Sequence, residues 1–110
     1  MVEPDSAKIA KLNDHARCSF TECRVMITTG IHQLDGPVIS GILLAVQTFN
    51  QFTADNDPYG EHDFGRVMVA GHTVFWKWAY YDLDLQMHSP DPADPAVTAR
   101  VLTIMLADEY

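Results

Sequence analysis

Val74, Trp76, Trp78 and Tyr80 recur at every second position of one short run, with Phe75, Lys77, Ala79 and Tyr81 between them. Side chains of an extended chain alternate between two faces. Thr73–Tyr81 therefore reads as a strand, and its Val-Trp-Trp-Tyr set needs an apolar layer to cover it. Arg66–Ala70 precedes it across the short Gly71-His72 connection, which is a hairpin signal. A chain with this pair must build a sheet with one dry face.

The remaining segments suggest what covers that face. Ile9, Leu12 and Ala16 recur at helical spacing after Pro4, with Asp5 or Ser6 as cap and Lys8, Lys11 and Asp14 toward water. Arg24–Thr29 is rich in β-branched residues and closes at Gly30, so it reads as a strand. Asp35-Gly-Pro37 looks like a helix start. The charge-free apolar run Val38–Phe49 then predicts a central helix covered on several sides, with Gly41 permitting close packing. Asp94-Pro95 resembles an N-cap and first turn. Val97, Val101, Ile104 and Met105 extend it to a last helix over Ala96–Asp108. The predicted order is α-β-α-β-β-α: one two-layer α+β domain over residues 1–110, with a three-stranded antiparallel sheet and helices packed on one face.

Nearly half of the residues are apolar, enough for a core without metal or disulfide staples. Met1–Asp5 lacks the basic and apolar regions of a secretory signal, and Val38–Val46 is far short of the roughly 20 residues of a membrane span. The plain expectation is a cytoplasmic protein in which Cys18 and Cys23 stay reduced.

Charge narrows the class of partner. Eleven of the fifteen carboxylates follow Arg24, against Arg66, Lys77 and Arg100, so that part of the chain carries the whole net charge of −8. The excess lies mainly in Thr53–Gly65 and Asp82–Asp94. Such runs repel nucleic acid and anionic membranes and attract basic protein surfaces or cations. The aromatic strand could stack bases, but platforms of that kind come with basic residues, and only Lys77 is nearby in sequence.

Motifs for chemistry are sparse. Asp55-Asn-Asp57 with Gly60 resembles the start of a calcium loop, yet Tyr59 and Arg66 occupy the fifth and twelfth positions, where ligands are needed. Glu61, His62 and Asp63 could form a metal or acid/base site, since alternate residues of an extended segment share a side. In a Pro/Gly-rich loop such residues more often tie the loop to its own backbone. His15, His32, His72 and His88 are scattered and match no zinc pattern. There is no nucleophile elbow and no glycine-rich phosphate loop, and no cofactor is implied.

Asn56–Gly65, Phe75-Trp-Lys77, Tyr80-Tyr-Asp82, Ser89–Thr98 and Arg100–Leu106 together resemble a family of small acidic bacterial proteins catalogued as a domain of unknown function. The resemblance covers most of the chain from Arg24 onward. It implies a setting on plasmids or integrated mobile elements and carries no reaction with it. The leading expectation is a non-enzymatic binding protein whose Asp55, Asp57, Glu61, Asp63, Asp82, Asp84, Asp91 and Asp94 engage a basic surface of a nucleic-acid-binding complex. In a mobile-element setting this suggests an anti-CRISPR or anti-restriction mimic. The alternatives are a small hydrolase or metal-dependent enzyme built on Glu61-His62-Asp63, and a homodimer using Phe75 and Tyr81.

Overall fold

The computed structural model describes residues 5–110. Its elements are α1 (Asp5–Ser19), β1 (Arg24–Ile27), α2 (Thr29–His32), α3 (Gly36–Thr48), β2 (Phe64–Val69), β3 (His72–Tyr81), β4 (Ala99–Leu106) and a closing 3-10 turn, Ala107–Glu109. The strands form one sheet in the order β1-β4-β3-β2, with β1 parallel to β4 and the other pairs antiparallel. This is an α+β fold, but the sheet is four-stranded and mixed, not three-stranded and antiparallel.

The difference comes from the last element, expected as a helix and observed as β4. Val97, Val101, Ile104 and Met105 do fit a helical stripe, but Arg100, Leu102 and Ile104 also alternate, and those three are buried together. β4 lies between β1 and β3. Flanked on both edges, it reads as a nearly continuous apolar run, which periodicity alone cannot separate from a buried helix. The Asp94 carboxylate does accept a backbone bond, from the Ala96 N–H at 2.9 Å. That bond closes a local turn and caps no helix.

The two-residue connection of the hairpin falls one position earlier than the expected Gly71-His72. Val69 pairs with His72, so Ala70 and Gly71 alone turn the chain, with φ of 52° and 81°. Two consecutive positive φ values match the twist of the flanking strands. Val74, Trp76 and Trp78 are buried and join Ala16, Ile31, Ile42, Val46, Leu102 and Ile104 in one core. Gly65 belongs there by necessity, because a Cβ at that position would lie 2.4 Å from the Trp76 ring.

α1 includes Asp5 and Ser6, and Pro4 before it lies outside the described residues, as does most of Met1–Asp5, the segment weighed as a secretory signal. α3 starts at Gly36-Pro37, but the Asp35 side chain makes no capping bond. Only Ile42 and Val46 of this helix are buried, and Leu44 is 61% exposed. The expectation of a helix covered on several sides is thus corrected to one packed through a single stripe. Gly41 does allow close approach, with Val69 Cγ1 3.2 Å from where its Cβ would stand. After β1 the chain turns at once into α2, which brings Ile31 into the core. No helix among the described residues is long and apolar enough to cross a membrane.

Candidate functional site

α1 presents polar side chains on its buried stripe. Asn13 and Arg17 are four residues apart, between Ile9, Ala10 and Ala16, and both are almost fully buried. A buried polar group must find partners; Asn13 finds a loop and Arg17 the end of α3. Asn13 Nδ2 donates to the Glu61 carbonyl oxygen at 3.0 Å and to the Tyr80 hydroxyl at 2.8 Å, while its Oδ1 accepts from Arg100 Nε at 3.0 Å. Arg100 also donates to the Pro92 carbonyl and stacks 5.4 Å from the centre of the Tyr80 ring. Glu61 belongs to the first acidic run and Pro92 to the second, so one clasp fastens both runs at the same end of the molecule.

Arg17 anchors the neighbouring wall. Its guanidinium donates to the carbonyls of Val46 at 2.7 Å and Gln47 at 3.4 Å, near the C-terminus of α3, and to Asp14 at 3.1 Å. It stacks on Trp76 and Phe52 at 4.9 and 5.6 Å. Carbonyls at a helix C-terminus carry partial negative charge, which favours a cation there.

The first run is folded on itself. Thr53 and Asn56 exchange side-chain and backbone bonds at 2.8 and 3.3 Å. Asp57, expected on a binding face, is only 8% exposed. It accepts the His62 N–H at 3.1 Å and lies 3.6 Å from His62 Nε2, while His62 Nδ1 meets Asp14 at 2.8 Å. The His62 ring lies flat on Phe52, with centroids 3.8 Å apart. Asp57 and His62 therefore order the loop, and Asp14, expected toward water, is the second partner of His62. Glu61 points to the Tyr80 hydroxyl at 3.5 Å. Burial pushes its carboxyl above the usual range, and the neighbouring Asp63 pushes it further. Asp63 is raised as well, chiefly by burial. Burial also raises the Tyr80 phenol and lowers the Arg100 guanidinium.

The second run is ordered by its own side chains. Asp82 Oδ1 accepts from the backbones of Gln86 and Met87 at 3.0 and 3.4 Å, and Asp91 accepts from Ala93 at 3.2 Å. Ser89 and Thr98, both buried, bond at 2.7 Å across the run. What remains outward is specific. Asp55 and Asp84 are exposed and make no bond or ion pair among the described residues. Asp91 is also exposed. Beside them Tyr59, Leu83 and Met87 are 77%, 64% and 71% exposed.

The expected binding residues thus divide into three groups: Asp55, Asp84 and Asp91 face solvent; Asp82 and Asp94 are half-buried and tie turns; Glu61 and Asp63 are half-buried near the clasp, with Asp57 buried beside them. Glu61, His62 and Asp63 do not meet at one point: Glu61 reaches the Tyr80 hydroxyl, whereas the His62 ring lies between Asp14 and Asp57. Among the described residues no group of three His, Cys, Asp or Glu side chains is arranged to hold a metal.

A cleft of about 680 Å³ lies between α1 and the end of α3, lined by Asp14, Arg17, Cys18, Leu44, Phe52 and His62. Cys18 is exposed there, but both ring nitrogens of His62 already face carboxylates, so no base is turned toward the thiol. Asn13 and Arg17 were missed from the sequence. Their signal was two polar residues at i and i+4 on an otherwise apolar stripe.

Neither a curated protein nor a solved structure matches this chain. A family model matches residues 27–109, which span α2, α3, both acidic runs and β2 to β4. The chain therefore belongs to the family described as protein of unknown function (DUF3768).

Proposed function

We propose that this protein is a non-enzymatic, cytoplasmic binding module whose acidic end engages a basic protein surface. The observation that supports this reading is the clasp through Asn13 and Arg100, which binds Glu61 of one acidic run and Pro92 of the other. Two runs whose nearest ends, Gly65 and Asp82, lie 17 positions apart in sequence would otherwise have no reason to act together. Asp55, Asp84 and Asp91 then stand on backbone already ordered by internal bonds, which lowers the entropy lost on binding. Tyr59, Leu83 and Met87 supply apolar anchors of the type that carries most binding energy, and carboxylates around them select a cationic partner. The finer form of the proposal is a nucleic-acid mimic: a mobile-element inhibitor of host defence, anti-CRISPR or anti-restriction in kind, that occupies a groove built for phosphates. A hydrolase built on Glu61-His62-Asp63 has less support, because those side chains diverge.

The test is affinity capture from a cell lysate with the wild-type protein and with Asp55→Lys, Asp84→Lys and Asp91→Lys combined. These positions avoid the internal bonds of Asp57 and Glu61. Cationic nucleic-acid-binding proteins are expected on the wild type and lost from the folded variant. Equal capture by both would remove the proposal.

A further inference from the structure

The sheet has a second face, and its register assigns that face a composition unlike the rest of the molecule. The helices cover the side of Val74, Trp76, Trp78, Leu102 and Ile104. On the opposite side, one row across the four strands reads Met26, Thr103, Lys77, Phe64. The rows beside it hold Met105, Phe75 and Arg66 on one flank and Arg24, Val101 and Ala79 on the other. Arg24, Arg66 and Lys77 are exposed, and from residue 24 onward the one remaining cation, Arg100, is buried in the clasp. No carboxylate occurs among the strand residues of this face. A chain of net charge −8 has thus collected its outward cations from this half onto one sheet face whose strand residues include no carboxylate.

Aromatic rings accompany them. Phe64, Phe75 and Tyr110 form a cluster with centroids 5.2 to 5.9 Å apart, Tyr110 meeting both Phe rings edge-to-face, and Lys77 Nζ stands 5.6 Å from the Tyr110 ring. Tyr110 is 73% exposed, and Tyr81 is exposed at the far end of β3. The register supplies what the sequence did not: Arg66 lies opposite Phe75, and Arg24 stands two strands from Ala79.

We propose that this open sheet face is a platform for single-stranded nucleic acid, with bases against Tyr110, Phe75 and Tyr81 and phosphates against Arg24, Arg66 and Lys77. Flat rings beside cations suit a chain in which planar bases alternate with anions. A second copy of the same face fits poorly, since it would set like charges against one another. The first acidic run attaches on the helix side, through Asn13 and Asp14 of α1, and the second through Arg100, which bonds Asn13; salt screens charge beyond about 8 Å at physiological ionic strength. With at most three phosphates neutralised, the dependence of log K on log salt has a slope no steeper than about −2.

The test is fluorescence anisotropy with a short labelled single-stranded RNA and its DNA counterpart, against a duplex of the same sequence and polyglutamate as competitors. Expected are saturable binding to the single strand and weak competition by duplex and polyglutamate. Arg66→Glu with Lys77→Glu is expected to abolish binding, and Tyr110→Ala to weaken it about fivefold or more, as for one lost stacked base. All these sites are exposed, and circular dichroism checks that the variants stay folded. Asp84→Lys is expected to leave binding undiminished. Absence of binding by the wild type, binding that survives the double reversal, or equal competition by duplex or polyglutamate would overturn the proposal.

Discussion

Arg100 Nε donates to Asn13 Oδ1 at 3.0 Å, joining the last strand to the first helix across 87 residues of sequence. Both side chains are buried, and each uses its remaining hydrogen-bonding groups on a loop or on Tyr80. The pair is therefore the point at which core and acidic surface meet. A guanidinium held in the interior is tolerated only while its partners are present.

Replacing Asn13 with Leu keeps the volume roughly constant and removes the partner of Arg100, the Glu61 carbonyl and the Tyr80 hydroxyl. The expected cost is about 2–3 kcal/mol, because buried polar groups are left unsatisfied. Denaturant unfolding measures it. Proteolysis within Thr53–Gly65 or Asp82–Asp94 should rise in the same variant before global unfolding.

Arg17→Lys is expected to destabilise by about 1–3 kcal/mol although the charge is kept. An ammonium cannot bond the Val46 and Gln47 carbonyls and Asp14 in one plane while stacking on Trp76 and Phe52. Thermal unfolding of the variant against the wild type reads the difference.

The pH dependence has two opposing parts. Glu61 and Asp63 are raised in the fold, so their contribution is fully present below their ordinary values of 4.5 and 3.8 and is lost as pH rises through the raised ones. Glu109 is lowered by bonds from the Thr28 hydroxyl, then from the Leu106 and Gly30 backbones. Its contribution is present above its ordinary 4.5 and is lost as pH falls through the lowered value. Glu61→Gln should therefore be more stable than the wild type at neutral pH, with the gap closing in acid. Glu109→Gln should show the reverse: less stable at neutral pH, equal in acid. Urea titrations across pH check both signs.

Gly65→Ala would drive a methyl into the Trp76 ring, which is fully buried and held under Arg17. Overpacking of this kind costs about 1–3 kcal/mol. The near-ultraviolet circular dichroism of the tryptophans should change with it, and Gly60→Ala, in open space, should leave that signal alone.

The parts of this fold legible in the sequence are those decided by neighbours in the chain. Val74, Trp76 and Trp78 announced a core face because large apolar side chains alternate there with few basic residues nearby in sequence. A hairpin at Gly71 and the start of α3 at Gly36-Pro37 follow from local backbone preference, whereas the part played by Ala70 in the turn, in place of His72, does not. β4 was not legible: Val101 and Met105 suit either a helix or a strand, and its place between β1 and β3 decides the matter. Asp57, expected on a binding face, is held by His62, whose other partner, Asp14, lies 48 residues upstream and could not be read from the loop itself. The same distance hid the clasp, and it hid the gathering of Arg24, Arg66 and Lys77 on one sheet face.

The most direct measurement of the central claim is the dissociation constant of a captured cationic partner, determined at several salt concentrations with wild-type protein and with Asp84→Lys. The account expects wild-type affinity to fall steadily as the screening length shrinks from about 10 Å at 0.1 M to about 3 Å at 1 M. It also expects Asp84→Lys to bind more weakly at low salt and to approach the wild type at high salt. A partner held with the same affinity at every salt concentration, and equally by the variant, would contradict it.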